Sequence, residues 1–251
     1  LLIAHTTDLS GNDDIAFEHA HALAKASGAR LASVHACVGP APERELPQAD
    51  PGVDHQRVLH ECCDDATDTL LDALTKLEPD LVVAATHART GLERLLGGSV
   101  AEGVARNLPA PTLLLPLDGT RFVDEESGET KLARLLVPIA TSADAEAGVN
   151  AAAMLVRLAG SAHAEIVTLH VGSDEFPPAP AAPPGITLTR RRTDGRLEDA
   201  IVDTANAIEA DLVVMPTRGH DGVGDVLFGS HTERVLHRCK RPVLWVPLQR
   251  A

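Results

Sequence analysis

Three features of the 251-residue chain predict an α/β fold built twice, each copy a five-stranded parallel, doubly wound sheet. Residues 80–116 and 211–247 match without a gap at a spacing of 131, pairing Thr86 with Thr217, Gly91 with Gly222, Gly98 with Gly229, Ser99 with Ser230, Glu102 with Glu233 and Pro116 with Pro247. A repeat of that length marks a duplication. Short apolar, β-branched runs alternate with stretches of helical periodicity, the pattern of right-handed βαβ crossovers. Each copy then carries a glycine-bearing loop followed by Ser-x-x-Glu, the spacing of a helix-starting capping box.

Taken in order, Leu1 to Ala4 reads as a buried first strand, ended by the turn-forming and capping residues His5 to Asp14. A helix follows with Ala16, Ala20, Leu23 and Ala24 on one face, and Gly28 stands where a left-handed C-cap belongs. Arg30 to Ala36 is the second strand. The second half repeats this order with a strand over Leu135 to Ile139, a helix ending near Gly160 and a strand through Ile166 to Val171. His35 and His170 correspond at a spacing of 135, so the first half carries four extra residues in a loop.

Proline-rich stretches, Pro40 to Pro51 and Pro177 to Pro184, exclude regular structure and read as loops or lids. Third strands are expected at Gln56 to His60 and Ile186 to Arg191. Helices follow, with apolar faces at Ala66, Leu70, Ala73, Leu74 and Leu77 and at Leu197, Ile201, Ala205 and Ile208. Fourth strands begin at Leu81-Val82-Val83 and Leu212-Val213-Val214. Helices open at Gly98-Ser99 and Gly229-Ser230, and fifth strands cover Thr112 to Leu115 and Val243 to Val246. Residues 118–131, polar and without apolar periodicity, read as a linker between domains at 1–117 and 132–251. With strand order 3-2-1-4-5, the switch point lies between strands one and four, leaving a crevice at the carboxyl edge. The short apolar fifth strands are expected to pair with each other, Leu113 to Leu115 antiparallel to Leu244 to Val246.

A formal charge of −14 and an aromatic content of 2% argue against nucleic acid and anionic membranes as partners. No apolar run reaches the roughly 18 residues of a membrane span. Cys37, Cys62, Cys63 and Cys239 lack CxxC spacing and are not needed as staples, which fits a soluble protein of the reducing cytoplasm. The twelve histidines are expected on the solvated surface, with no metal site. His60 beside Cys62-Cys63 offers soft ligands only if the fold brings another group close.

The loops at the crevice resemble those of the universal stress protein family in its tandem form. The family pattern is Gly-x-x-Gly, nine residues, then Gly-Ser or Gly-Thr after the fourth strand, with an aspartate at the end of the first. The second repeat has Gly219, nine residues, Gly229 and Ser230, but Pro216 replaces the first glycine and Ala140 stands at the aspartate. The first repeat has Asp8 and Gly98-Ser99, with Ala85 and Ala88 in place of the leading glycines. A positive φ at Ala88 would cost about 1–2 kcal/mol, and Pro216 deletes a backbone donor.

The resemblance implies two Rossmann-like domains joined as an internal pseudo-dimer, and a degenerate site for ATP or another adenine nucleotide. Glycines let backbone N–H groups approach phosphates, the helix start adds its positive end, and a carboxylate holds ribose hydroxyls. In the second repeat it implies contacts from Pro138, Val171 and Met215 at strand ends, Arg218 and Gly219 in the loop, and Gly229, Ser230, His231 and Thr232 at the helix. In the first it implies Asp8, Ala36, Gly98, Ser99 and Val100. The second repeat is expected to bind better, because it keeps the phosphate-facing parts and has Arg218 beside them.

Ser99 and Ser230 are equally explained as helix caps without a ligand. Neither lies in Gly-x-Ser-x-Gly, which argues against a serine hydrolase. No base for hydrolysis is visible, so no catalysis, or at most weak ATP hydrolysis, is expected. The competing reading is a nucleotide-free scaffold acting through protein partners.

Overall fold

The computed structural model describes the chain except for residues 12–13, 39–41, 43, 87–98, 218–225 and 249–251, and gives the backbone alone over 226–230. The first half runs β1 (Leu2–Thr6), α1 (Asp14–Ser27), β2 (Arg30–Ala36), β3 (His55–His60), α2 (Ala66–Leu77), β4 (Leu81–Thr86), α3 (Val100–Asn107) and β5 (Thr112–Pro116). The second runs β6 (Arg134–Pro138), α4 (Ser142–Leu158), β7 (Ala164–Val171), β8 (Ile186–Thr193), α5 (Leu197–Ala207), β9 (Leu212–Thr217), α6 (Val226–Arg238) and β10 (Val243–Pro247).

Within each half the strands are parallel and the order is 3-2-1-4-5, as their apolar runs and helical crossovers require. The fifth strands join the halves. β10 lies antiparallel to β5, with Val243 opposite Leu114, Leu244 opposite Leu113 and Trp245 opposite Thr112, each strand one residue earlier than expected and the register therefore shifted by two. The result is one continuous ten-stranded sheet. Leu113, Leu114, Val243 and Leu244 are fully buried at this seam, each contributing roughly 1.5–3 kcal/mol of transfer free energy.

Helices cover both faces. α1 and α4 share one, where Ile3, Leu31, Leu113, Leu115, Leu135, Val137, Leu244 and Val246 form a single core crossing the seam. On the other face α2 packs over Val34 and Val82, while α5 and α6 pack over Val213, Met215 and Trp245. Ala101 and Ala105 of α3 join that second-half cluster, so α3 also braces the seam.

Local signals account for the ends of these helices. Gly28 ends α1 at φ +70°, and Asp65 caps α2 by accepting from the amides of Thr67 and Asp68. Thr141 and Asp144 form a complete capping box on α4. α4 can cross the sheet closely because Gly148 carries no side chain. A Cβ there would sit 2.5 Å from Val137 Cγ1 and 2.9 Å from Pro216 Cγ.

Several expectations are corrected. α6 begins at Val226, so Ser230 lies in its second turn rather than at its start. The polar character of 118–131 hides a packed segment. Phe122 is buried edge-to-face against His19 with ring centroids 4.6 Å apart, and Val123 bridges Thr130. Two apolar residues in so short a stretch are too few to register as periodicity. His5, His19 and His170 are buried, against the solvated surface expected of the histidines, and each finds a hydrogen-bond partner inside for its Nδ1. Cys62 and Cys63 are joined as a disulfide. Between adjacent residues it closes no loop of consequence and is no staple. Among the described residues no helix is long and apolar enough to cross a membrane.

Candidate functional site

The connections leaving the carboxyl ends of β1 and β4 diverge in the first half, since α1, which follows β1, and α3, which follows β4, lie on opposite faces of the sheet. A cleft of about 360 Å³ opens there, lined by Thr6, Thr7 and Asp8 after β1, His35 and Ala36 at the end of β2, Val38, Ala66 and Leu70 of α2, Ala85 of β4, and Ser99, Val100 and Ala101 at the start of α3. Four of the five residues proposed for this half, Asp8, Ala36, Ser99 and Val100, therefore share one cavity. Gly98, with Ala88 and its expected strain, lies outside the described residues.

One end of the cleft is held by backbone pairing and a histidine. Thr7 donates its amide to Val34 O, and His35 Nδ1 donates to Thr7 O at 2.9 Å, fixing the segment that carries Asp8. Asp8 Oδ1 accepts from the Ser10 amide at 2.8 Å. The second half repeats the device: Ile139 donates to Leu169 O and His170 Nδ1 to Ile139 O. The correspondence of His35 with His170 was the sequence signal for this positioning role, which the motif comparison did not assign.

At the other end Ser99 caps α3, its Oγ accepting from the Glu102 amide at 3.2 Å. The capping box is formed on this side alone. Glu102, 2% exposed, receives Thr86 Oγ1 at 3.4 Å and faces His237 Nε2 of α6 at 3.8 Å instead. Glu233, its counterpart in the second half, pairs with Arg106 of α3. The two repeated glutamates thus tie α3 and α6 together across the internal two-fold. The amides of the first helical turn have no intrahelical acceptors, so α3 presents a positive end to the cleft.

The second half is built differently. Ala140 stands at the position of Asp8, and its amide is taken by Asp144 Oδ2 at 3.0 Å within the capping box of α4. Pro138, Val171 and Met215 lie at or near the carboxyl ends of β6, β7 and β9 around the equivalent switch point. Pro216 is accommodated because the pairs between β6 and β9 stop at Val213, so no ladder bond toward β6 needs its missing donor. His231 and Thr232 belong to the contact between helices. Thr232 is buried, and His231 Nδ1 donates to Glu198 Oε1 of α5 at 2.9 Å, where Arg234 Nη1 also donates at 2.7 Å. The Arg234 guanidinium is the main cause holding the Glu198 carboxyl down to about 2. Arg218 and Gly219 lie outside the described residues, as does the side chain of Ser230, and Gly229 is described by its backbone alone.

A larger hollow of about 470 Å³, lined by Leu74, Glu78, Asp80, Leu108 and Pro111, lies at the amino edge of the first-half sheet. Ligands of doubly wound sheets sit at the carboxyl edge, where helix N-termini converge, so size does not make it the better candidate.

The model of the universal stress protein family matches residues 43–116 and again 178–247, together more than half of the chain. Among solved structures, a universal stress protein from Archaeoglobus fulgidus DSM 4304 is similar over 100% of this chain and 96% of its own, at 18% identity and a TM-score of 0.71. A functionally unknown protein from Pseudomonas aeruginosa PAO1 is similar over 98% and 92%, at 14% identity and a TM-score of 0.63. At these identities the likeness is one of fold. No curated protein matches the chain.

Proposed function

The chain belongs to the universal stress protein family, in tandem form, and on that premise we propose that it is a cytoplasmic stress-response protein that binds an adenine nucleotide in the first-half cleft without turning it over. The observation that carries this reading is the meeting of Asp8 and the capped start of α3 in one cavity at the switch point. About 360 Å³ falls in the range of small-ligand sites. Ala36, Val38, Ala66 and Leu70 offer an apolar wall for a base. Asp8 offers acceptors for ribose hydroxyls, and Ser99 with the amides of Val100 and Ala101 faces a phosphate. ATP is the first candidate. We assign no catalytic residue.

This places binding in the first half, whereas the glycine pattern favoured the second. Three facts support the change: Ala140 offers no carboxylate, its amide is occupied by Asp144, and Ser230 does not begin a helix. The scaffold reading also has an observation in its favour, since Ser99 Oγ is satisfied by the Glu102 amide without any ligand. Acid extraction of the purified protein followed by nucleotide chromatography separates the two. A stoichiometric adenine nucleotide in the extract supports the first reading. An empty extract, together with no uptake of added ATP, favours the scaffold.

A further inference from the structure

The connection between β3 and α2 brings together donors that are far apart in type. His60 ends β3, Cys62 follows in the loop, and Asp72 projects from α2. One ligand atom from each lies within 4.8 Å of the other two, and His60 Nε2 is 2.5 Å from Asp72 Oδ2. The loop is held in place. Thr69 Oγ1 receives the Cys63 amide at 3.4 Å and Asp65 caps α2, so Cys62 is fixed against the helix that carries Asp72. All three side chains are at least partly accessible.

The fold does not require these residues. Thr193 of β8 pairs with Val171 as His60 pairs with Ala36, and Asp194-Gly195 follow it where the first half has Glu61-Cys62. The second half keeps Asp203 at the repeat position of Asp72 but neither soft donor.

We propose that, with Cys62 and Cys63 reduced, His60 Nε2, Cys62 Sγ and Asp72 Oδ2 bind one zinc-class divalent ion, leaving a fourth position to water. An imidazole, a thiolate and a carboxylate are the donors of such ions, whereas Mg²⁺ and Ca²⁺ prefer all-oxygen sets. Tetrahedral bonds of about 2.0–2.3 Å set ligands roughly 3.3–3.8 Å apart, so the His60–Asp72 pair opens by about 1 Å, and Cys62, already within 4.8 Å of both, needs no more than a small side-chain adjustment. The thiolate and the carboxylate together neutralise a divalent charge. Lys76, 2.6 Å from Asp72 and mostly exposed, is the cation now resident there and swings away. Glu61, Asp64, Asp65 and Asp68 add a negative field that draws cations to the loop. The disulfide and the ion exclude each other, because both need the Cys62 sulfur.

The test is a titration of the full chain with Co²⁺ as a probe for Zn²⁺, after reduction with a phosphine under nitrogen. The phosphine takes the oxygen of a water molecule, whose two protons go to the separated sulfurs; metal binding then displaces the Cys62 thiol proton. Reduced protein is expected to show the visible bands of four-coordinate Co²⁺ and a thiolate-to-cobalt band in the near ultraviolet, saturating at one equivalent. Zn²⁺ should displace both. Cys62→Ser should abolish the thiolate band, and His60→Ala and Asp72→Asn should each weaken binding by at least about 100-fold, more than a second-shell change costs. Lys76→Ala should tighten it, which no loss of folding could mimic, and Cys37→Ser should leave it unchanged. Absence of the thiolate band in reduced wild type, its loss with Cys37→Ser, or its survival in Cys62→Ser overturns the proposal.

Discussion

Acidification from about pH 7 to about pH 5 should weaken the fold by roughly 4 kcal/mol, His5 and His19 each contributing about half. His5 lies between Ser33, whose Oγ is 3.1 Å from its Nδ1, and Phe17; burial, with His55 nearby, pushes it down to about 3. His19 is pushed down to about 4, chiefly by burial, against the opposing hydrogen bond to Ile15 O. No described group bonds the Nε2 of either ring. An unfolded chain carries ordinary imidazoles, so below about pH 6.5 it takes up protons that the folded chain refuses. The stability is therefore complete above that pH and is lost as pH falls toward the depressed folded values. Each pH unit costs about 1.4 kcal/mol per group, and 1.5 units cost about 2. Depressed carboxylates such as Glu198 add their own loss only below about pH 4.5, which leaves the higher window to the histidines. Urea unfolding followed by the fluorescence of Trp245, the sole tryptophan, reads the effect at both pH values. His19→Leu should halve the change, because one of the two refused protons is gone. Equal midpoints at both pH values, or a wild-type pH dependence in His19→Leu, would refute the reasoning.

Three further perturbations probe the packing. Gly148→Leu should cost about 3 kcal/mol by driving α4 off Val137 and Pro216; an unchanged melting temperature would mean the helix does not cross so closely. Glu198→Ala should cost about 2 kcal/mol by stranding His231 and Arg234 between α5 and α6, with Glu198→Gln between the two in thermal melts; an Ala variant as stable as wild type would count against the triad. A double-mutant cycle on Arg106 and Glu233 should give a coupling of about 1 kcal/mol for this half-exposed pair across the internal two-fold, and a coupling near zero would leave the seam to its apolar strands alone.

The fold was legible because strands buried on both faces must be continuous apolar runs, and runs such as Leu81-Val82-Val83 and Leu212-Val213-Val214 recur at a fixed spacing. Even the joining of the halves could be read, since PTLLLP and PVLWVP are too apolar to stand as bare edges. The start of α6 was misread because Ser-x-x-Glu fits both a cap and an interior turn. At Ser99 the spacing marks the cap; at Ser230 the helix has already begun four residues earlier. Phe122 gave no warning of its burial, since its partner His19 lies over a hundred residues away. The nearness of Asp72 to His60 and Cys62 was equally hidden, because it depends on how α2 folds back on β3 and not on any spacing within the loop. Asp8 and Ser99 were named from the resemblance, but only the fold shows that they share a cleft; their counterparts are Ala140, which has no carboxylate, and Ser230, which lies past the first turn of α6.

Calorimetric titration of ATP into wild type, Asp8→Ala and Gly229→Val tests the central claim most directly. Loss of a charge-assisted hydrogen bond is worth about 1.5–3 kcal/mol, so Asp8→Ala should weaken binding roughly 10- to 100-fold, while Gly229→Val should leave it unchanged. No heat with wild type, or equal affinity in Asp8→Ala, would contradict nucleotide binding in the first-half cleft; loss confined to Gly229→Val would move the site to the second half.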